Sequence, residues 1–565
     1  MRILGVNYIF HDSAAALVCD GKLIAMVEEE RLNRQKHTAV FPAQSIDYCL
    51  KEAGLTFTDL DVIVYSAIPR LHFSKKILHW LKYFPNGNRF LLREIYDLAE
   101  KEKGRLLWQQ KMEHFYGKLP EIHFAEHHLC HAASSFFVSP FESAAILSID
   151  GSGEWATTML AHGQDRTIRV LDETYYPHSL GTLYETVTQF VGFKPNYDEG
   201  KVMGLAPYGE PDAYRDAFRR VVHNGQAPQI RLDLDYFQYH LGQSITYSQK
   251  FMDVFGAPRK PGEPLSKNHE NVARGVQEIL EDSVRKIAIH LRDRTGEKNL
   301  VLAGGIALNS VTNGKLIKEG LFEKAFVNPA AHDAGTAIGA AYWHYHQVLG
   351  KERCFVLTHP SWGPGFSNGD ILKILKYSKL KYSFHPSDII EKAVDALNQR
   401  KIVGWFQGRT EIGPRALGNR SILANPTFPE MKEILNREVK HREPFRPFAP
   451  SVAEEDQGRI FDCSHPAPYM LFVYDVLPEW RSKIPAVTHV DGSGRLQTVT
   501  KDYNEKYYNL IKAFEKRTGV PVVLNTSFNI MGEPIVNTPA EALRCFFSTG
   551  IDVLALGDYW LEKTP

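Results

Sequence analysis

An apolar run that empties into a short polar or glycine-bearing loop, followed by a second β-rich run, occurs twice in this chain and calls for a sheet-centred fold. Residues 2–7 and 14–19 read as strands around the loop His11-Asp12-Ser13, and Asp20-Gly21 is a two-residue hairpin signal before a third strand at 23–27. The pattern returns at residues 144–149, which run into Asp150-Gly151-Ser152-Gly153 and a β-rich stretch around 155–160, a loose internal repeat. Two later segments turn from strand to helix: 300–303 through Gly304-Gly305, and 325–328 through Pro329 to a small-residue helix at 335–345. Residues 271–291 place apolar side chains at three- and four-residue spacing, as a helix does. The expected fold class is mixed α/β.

At 565 residues the chain exceeds the roughly 250–300 residues at which one core stops growing, so two or more domains are expected. The stretch THPSWGPGFSN at 358–368, rich in Pro, Gly and Ser, reads as the connection, which places the expected domains at 1–360 and 369–565. Lys plus Arg and Asp plus Glu are equal at 66 each, so no global field favours a long nucleic acid or an anionic membrane, and any anion site is local. No stretch approaches the ~20 apolar residues of a membrane span. The apolar opening is interrupted by His11 and Asp12, unlike a signal peptide. Cys19, Cys49, Cys130, Cys354, Cys463 and Cys545 lack paired spacing, which fits reduced thiols and a cytoplasmic protein.

His127 and His131 stand four apart in a helical segment, so both imidazoles share one face and can grip one metal ion. Such a pair alone is more often a packing coincidence. Asp150, at the end of an apolar strand, and Asp333, in the loop opening a small-residue helix, add carboxylates, although each alone reads equally as a cap or turn residue. Two nitrogen and two oxygen donors suit iron, zinc or manganese. The loops at 150–153 and 304–305 can bring backbone N–H groups near phosphates, and the chain has no GxxxxGK[ST] loop. Toward the C-terminus Arg409, Arg415, Arg420, Lys440, Arg442 and Arg446 are interleaved with Gly413-Pro414, Gly418 and the prolines of 444–450. Arg495 and the Asn525-Thr526-Ser527 turn add a cation and a hydroxyl. Rigid turns that fix guanidinium forks favour bidentate phosphate or carboxylate contacts over a solvated basic face.

The stretches HDSAAALV, HHLCHAASSFFVSPFESAAILSIDGSGEWATT, EGKVMGLAPYG, LAGGIALN, HDAGTAIGAA, GRTEIGPRALGNRSILANP, FRPFAPSV and LNTSFN resemble the NodU/CmcH family of carbamoyltransferases over essentially the whole chain. The resemblance implies an N-terminal domain with the duplicated actin-like, RNase H-like (ASKHA) fold of TsaD proteins, followed by a YrdC-like α/β domain. It implies that the C-terminal domain makes carbamoyladenylate from carbamoyl phosphate and ATP, with Mg2+ accompanying ATP. The N-terminal domain then passes the carbamoyl group to a hydroxyl of a small-molecule, natural-product acceptor.

By the same resemblance His127, His131, Asp150 and Asp333 hold iron (Fe2+), and Asp12, Gly151, Ser152, Gly153, Gly304, Gly305 and Asn309 contact the nucleotide in the N-terminal domain. His11 lies near the transferable group, where a near-neutral imidazole can position or deprotonate the acceptor hydroxyl. Arg415, Lys440, Arg446, Arg495, Asn525 and Ser527 surround carbamoyl phosphate and ATP. The acceptor pocket is expected in variable segments such as 67–119 and 223–264. Two other readings share parts of this pattern. An actin-like ATP-driven binding protein, or a sugar kinase of that fold, leaves the histidine pair and the arginine cluster without a task. A tRNA-modifying threonylcarbamoyl-type transferase shares the chemistry, but the zero net charge argues against a broad RNA surface. The sequence carries no signal for oligomeric state or acceptor identity.

Overall fold

The computed structural model describes residues 1–8, 10–224, 230–463 and 465–563, with the side chains of Lys101 and Asn224 outside the description. Residues 225–229 of the expected acceptor segment 223–264 therefore lie outside the described residues. The chain divides into two compact units: Met1–Ala25 with His37–Val356, and Met26–Lys36 with Leu357–Pro565.

The first unit is built on two sheets of matching plan. In one, β1 (Arg2–Asn7) pairs antiparallel with β2 (Ala14–Cys19), the turn at Asp20 and Gly21 takes positive φ at both residues (47° and 80°), and β3 (Lys22–Glu28) follows. Positive φ at both positions is the geometry of a type I′ hairpin, which a DG pair accommodates. β4 (Val62–Tyr65) and β5 (Glu121–Phe124) add in parallel on the other side, giving the order β3-β2-β1-β4-β5. The second sheet repeats this with β6 (Ser143–Ile149), β7 (Ala156–Gln164) and β8 (Thr167–Tyr175) as the antiparallel meander. A short hairpin of β9 (Val222–Asn224) and β10 (Ile230–Leu232) intervenes before the parallel strands β11 (Asn299–Ala303) and β12 (Lys324–Val327). The resulting order β12-β11-β6-β7-β8 mirrors the first sheet. Three antiparallel strands followed by two parallel ones is the RNase H-like plan, and its duplication is the actin-like architecture that the loose repeat foreshadowed.

The core under the first sheet includes Leu4, Val6, Leu17, Ile63, Tyr65 and Trp108. Helix Thr336–Tyr342 packs directly against β1 and helix His127–Phe136 because glycines permit it. A Cβ on Gly5 would lie 1.9 Å from the Ala337 carbonyl oxygen, and one on Gly339 would lie 1.8 Å from that of Cys130. The helix expected at 335–345 is divided: a 3-10 turn at Asp333–Gly335 precedes Thr336–Tyr342, and the winding then widens over Trp343–Val348.

The second unit is organised on a mixed ten-stranded sheet. Its strands are β13 (Ser383–Phe384), β14 (Val403–Phe406), β15 (Arg420–Ala424), β16 (Ala449–Ala453), β17 (Phe461–Asp462), β18 (Phe472–Val476), β19 (Ser493–Val499), β20 (Val523–Ser527), β21 (Val553–Leu556) and β22 (Tyr559–Glu562). The order is β13-β22-β21-β14-β15-β20-β16-β19-β18-β17. β20 lies antiparallel between β15 and β16, and β19 runs parallel to β16. The starts of β15, β16 and β19 and the end of β20 therefore share one end of the sheet. Trp405, Tyr507, Phe514 and Val523 fill the core beneath it.

Candidate metal centre and anion site

In the first unit the small-residue packing fixes one helix face and two loops around a common point. Helix His127–Phe136 presents His127 and His131, β6 delivers Asp150 at its end, and the turn before Thr336–Tyr342 delivers Asp333. One donor atom from each of the four lies within 4.8 Å of the others. The Nε2 atom of His131 is 2.9 Å from Asp150 Oδ2 and 3.4 Å from Asp333 Oδ1; that of His127 is 3.8 Å and 3.5 Å from the same atoms. The two Nε2 atoms are 3.0 Å apart, and both Nδ1 atoms are buried without a hydrogen-bond partner. The converging faces are thus the functional ones, and packing orients the rings: Phe10 meets His127 edge-on at 4.7 Å. A set of two imidazoles and two carboxylates fits a borderline cation such as iron, zinc or manganese.

Burial opposes charge on His127, yet the Asp333 charge and hydrogen bonds to Asp150 and Asp333 outweigh it and push the imidazole up to about 10. Asp150 and Asp333 are buried, which works against their ionisation, but the facing histidines hold both below the usual carboxylate range. His128 points the other way, between the Ser148 hydroxyl and the Ala156 carbonyl, and burial together with neighbouring His127 and His131 brings it down to about 3. It is a core histidine.

His11 lies beside this cluster, with Nδ1 2.9 Å from Asp12 Oδ2 and 3.8 Å from Asp333 Oδ2. Although burial works against its charge, Asp333 and then Asp12 raise it well above the ordinary imidazole value. Asp12, expected beside the nucleotide, engages histidines through both oxygens: His37 Nδ1 is 2.7 Å from Oδ1, and His11 holds Oδ2. Asn7 shapes the loop by donating to the carbonyls of His11 and Asp12.

The expected nucleotide loops border the ligand set. A Cβ on Gly305 would lie 3.0 Å from Asp150 Oδ1, one on Gly153 3.2 Å from His127, and one on Gly151 2.8 Å from Glu185. Gly304 adopts φ 83° beneath the Ile149 carbonyl, and Ser152 is exposed. Asn309 faces inward, capping helix Ser310–Lys318 through the Thr312 N–H and pairing with Gln277. Sequence reading missed His37, Glu185 and Glu154. Glu154 accepts the backbone N–H groups of Ile68 and His127 and so seats the start of the histidine helix. No spacing pattern marks these three.

In the second unit the shared sheet end gathers Arg415, from the loop before β15, with Arg442 and Arg446 before β16 and Arg495 on β19. Burial lowers the basicity of Arg415 to about 10, with Arg446 adding to the effect. Burial and then Arg415, Arg442 and Arg446 depress Arg495, and burial and Arg446 depress Arg442. Glu443, 3.9 Å from Arg446, offsets part of this charge. Guanidiniums gathered in this way create a local positive potential. Lys440 is also driven well down, by burial first and Arg442 next; its ammonium donates to the Ser527 carbonyl and hydroxyl and to Asn529. Asn525 is buried in the frame, donating to the Ala416 carbonyl and to Gln497. Arg409 and Arg420, from the same sequence constellation, donate to the carbonyls of Trp362, Gly363, Pro364, Gln407 and Gly408, and so hold the frame.

Among the described residues no helix is long and apolar enough to cross a membrane. The carbamoyltransferase N-terminus family matches residues 2–342, and the carbamoyltransferase C-terminus family matches residues 394–563. The chain is 42% identical to an uncharacterized protein of Synechocystis sp., covering 100% of this chain and 97% of that one. It is 39% identical to nodulation protein NolNO of Sinorhizobium fredii over 99% of this chain and 80% of the relative. To nodulation protein U of Rhizobium tropici it is 32% identical over 96% and 93% of the two chains. With both family regions present in one polypeptide, the chain belongs to the carbamoyltransferase family of enzymes.

Proposed function

We propose that this enzyme divides an ATP-dependent carbamoyl transfer between its two sites, in the cytoplasm. In the second unit carbamoyl phosphate loses inorganic phosphate to water, and the resulting carbamate attacks the α-phosphorus of Mg2+-ATP, giving carbamoyladenylate and pyrophosphate; in the first, a hydroxyl of a small molecule gives up its proton, takes the carbamoyl group and releases AMP. The observation that carries this reading is the cluster of Arg415, Arg442, Arg446 and Arg495, whose like charges Glu443 offsets only in part. Two polyanionic substrates must approach one another for adenylate formation, and such a cluster offsets their repulsion. Arg415 and Arg446 offer planar forks to phosphate oxygens, while Lys440 and Ser527, linked by a hydrogen bond, line the end of β20 beside them.

In the first unit His127, His131, Asp150 and Asp333 would hold a metal, which we take to be iron; it would supply Lewis-acid charge toward phosphate oxygens of the adenylate. The backbone of the loops at 151–153 and 304–305 faces the same ground and can donate to the nucleotide. His11, anchored by Asp12, is placed to orient the acceptor hydroxyl and take its proton, a role open to it once the Asp333 charge is engaged by a cation.

Carbamoyl-phosphate-dependent release of pyrophosphate from ATP by the purified protein tests the reading. The expected result is release without acceptor, in proportion to carbamoyl phosphate. ATP turnover indifferent to carbamoyl phosphate would instead support an ATP-driven binding protein.

A further inference from the structure

The segment Met26–Lys36 belongs to the second unit, although hundreds of residues separate it from the rest of that unit in sequence. It carries an unusual load of buried charge: Glu28, Glu29, Glu30 and Arg31 are each at most 8% exposed. Burying ions in a protein interior is costly, and apolar residues would fill the same volume at lower cost. The contacts show what these charges hold. The Glu28 carboxylate accepts the backbone N–H of Gly413 at 2.6 Å, and the Arg31 guanidinium donates to the Gly413 carbonyl at 2.7 Å. Arg31 is itself ion-paired with Glu30 and lies 3.9 Å from Glu28. One buried ion network therefore grips both sides of a single residue.

Gly413 has φ 88°, a conformation that disfavours any side chain, and it is followed by Pro414, whose own φ is restricted. The next residue is Arg415. On the far side of Arg415, Glu411 accepts the N–H groups of Leu417, Asn419 and Arg420 at 2.9, 2.7 and 3.2 Å, and Asn525 donates to the Ala416 carbonyl. The backbone around Arg415 is thus tethered downstream by residues of the C-terminal sequence and upstream by Glu28 and Arg31. Arg34 anchors the segment further along, donating to the carbonyls of Pro534 and Ile535 and pairing with Glu541 at 3.2 Å.

We propose that Glu28 and Arg31 are positioning residues of the anion site: by clamping Gly413 they set the direction in which Arg415 meets carbamoyl phosphate, so that residues 26–36 complete that subsite. This rests on the function proposed above. A tether that merely held the fold would lower stability when cut and leave the affinity of folded protein alone. A positioning tether acts through Arg415, and its loss is felt in anion binding.

The test uses the full-length chain and calorimetric titration with carbamoyl phosphate, and separately with inorganic phosphate, alongside thermal midpoints. Arg31→Lys keeps the charge but loses the fork that reaches Glu30 and Gly413 together. It should weaken carbamoyl phosphate binding by roughly tenfold or more, the scale of one charge-assisted hydrogen bond. The double variant Arg31→Lys/Arg415→Ala should bind no more weakly than Arg415→Ala alone, because the clamp acts through the residue already removed. Wild-type affinity in folded Arg31→Lys, or full additivity with Arg415→Ala, would overturn the clamp while leaving the proposed function intact. Absence of carbamoyl phosphate binding by the wild-type chain would overturn the underlying reading instead. If Arg31→Lys does not fold, Glu28→Ala, which removes the acceptor of the Gly413 N–H, carries the same comparison in the same double variant.

Discussion

The two charged clusters of this enzyme are opposites in how they are held together. In the first unit each imidazole faces two carboxylates at 2.9–3.8 Å, so attraction within the cluster offsets the penalty of burial. In the second, burial and neighbouring guanidiniums depress Arg415, Arg442 and Arg495, Glu443 offsets only part of that charge, and the backbone around Arg415 is tied in place. The supporting frames follow from this. Small residues and close helix contacts suffice to bring the histidine helix and Asp333 together, as at Gly339 against Cys130. The arginine loop needs Glu411, Asn525, Glu28 and Arg31 to hold its peptide groups one by one. A balanced cluster is poised for a cation, and an unbalanced one for anions.

Removing one ligand from each cluster should separate the two half-reactions. His131→Ala is expected to reduce acceptor carbamoylation on the order of 10³-fold and to lower bound metal, with pyrophosphate release from ATP and carbamoyl phosphate nearly unchanged. Arg415→Ala should do the converse, lowering pyrophosphate release by about 10²–10³ while carbamoyladenylate supplied from outside still supports transfer. The division of labour collapses if either variant loses both reactions, or if supplied carbamoyladenylate fails to rescue Arg415→Ala.

The same contrast predicts stability changes of opposite sign. In chelator-treated protein, Asp333→Ala leaves the raised His127 without its strongest partner and should destabilise by about 3 kcal/mol, as for one member of a buried pair. Arg415→Met removes a half-buried charge from among like charges and should stabilise by about 1 kcal/mol, at the expense of activity. Thermal midpoints measured without substrates decide it. A fall for Arg415→Met would mean that its charge is already compensated in the free enzyme.

Periodicity made much of the first unit legible. Alternating strands, a hairpin dipeptide and two histidines at helical spacing each leave a local trace, and Asp150 and Asp333 stood at strand and helix boundaries where ligands converge. The rest was written in non-local contacts, which leave no period. Arg409 and Arg420 have the same composition and neighbours as Arg415, yet they donate to carbonyls, because their loop turns them inward. Asn309 and Asn525, expected beside ligands, also hold the frame: one caps a helix and the other donates to the Ala416 carbonyl. Asp12 is drawn to histidines, one of them 25 positions away, and Glu28 meets Gly413 across 385 positions. Polar side chains that hold a site are chemically the same as those that use it, and only the fold tells them apart.

The smallest expected effect concerns pH, and it sharpens the contrast from the side of the cation. His127 is raised from 6.5 to about 10, so the stability it contributes is complete below pH 6.5 and is lost as pH rises through about 10; His11, also raised, acts in the same sense. Asp150 and Asp333 are lowered, so their contribution is present above about 3.8 and is lost only in acid. His128, lowered to about 3, changes the stability only below 6.5, and Glu185, raised to about 8, only between 4.5 and that value. Between pH 8.5 and 10, then, His127 contributes to chelator-treated protein a loss of stability with a slope of at most about 1.4 kcal/mol per pH unit. A metal-bound imidazole must be unprotonated, so loading with Fe2+ or Mn2+ should flatten this slope and make metal affinity rise with pH. Equal slopes with and without metal would show that His127 is not a ligand, and the cluster would then be a buried ion network rather than a cation site.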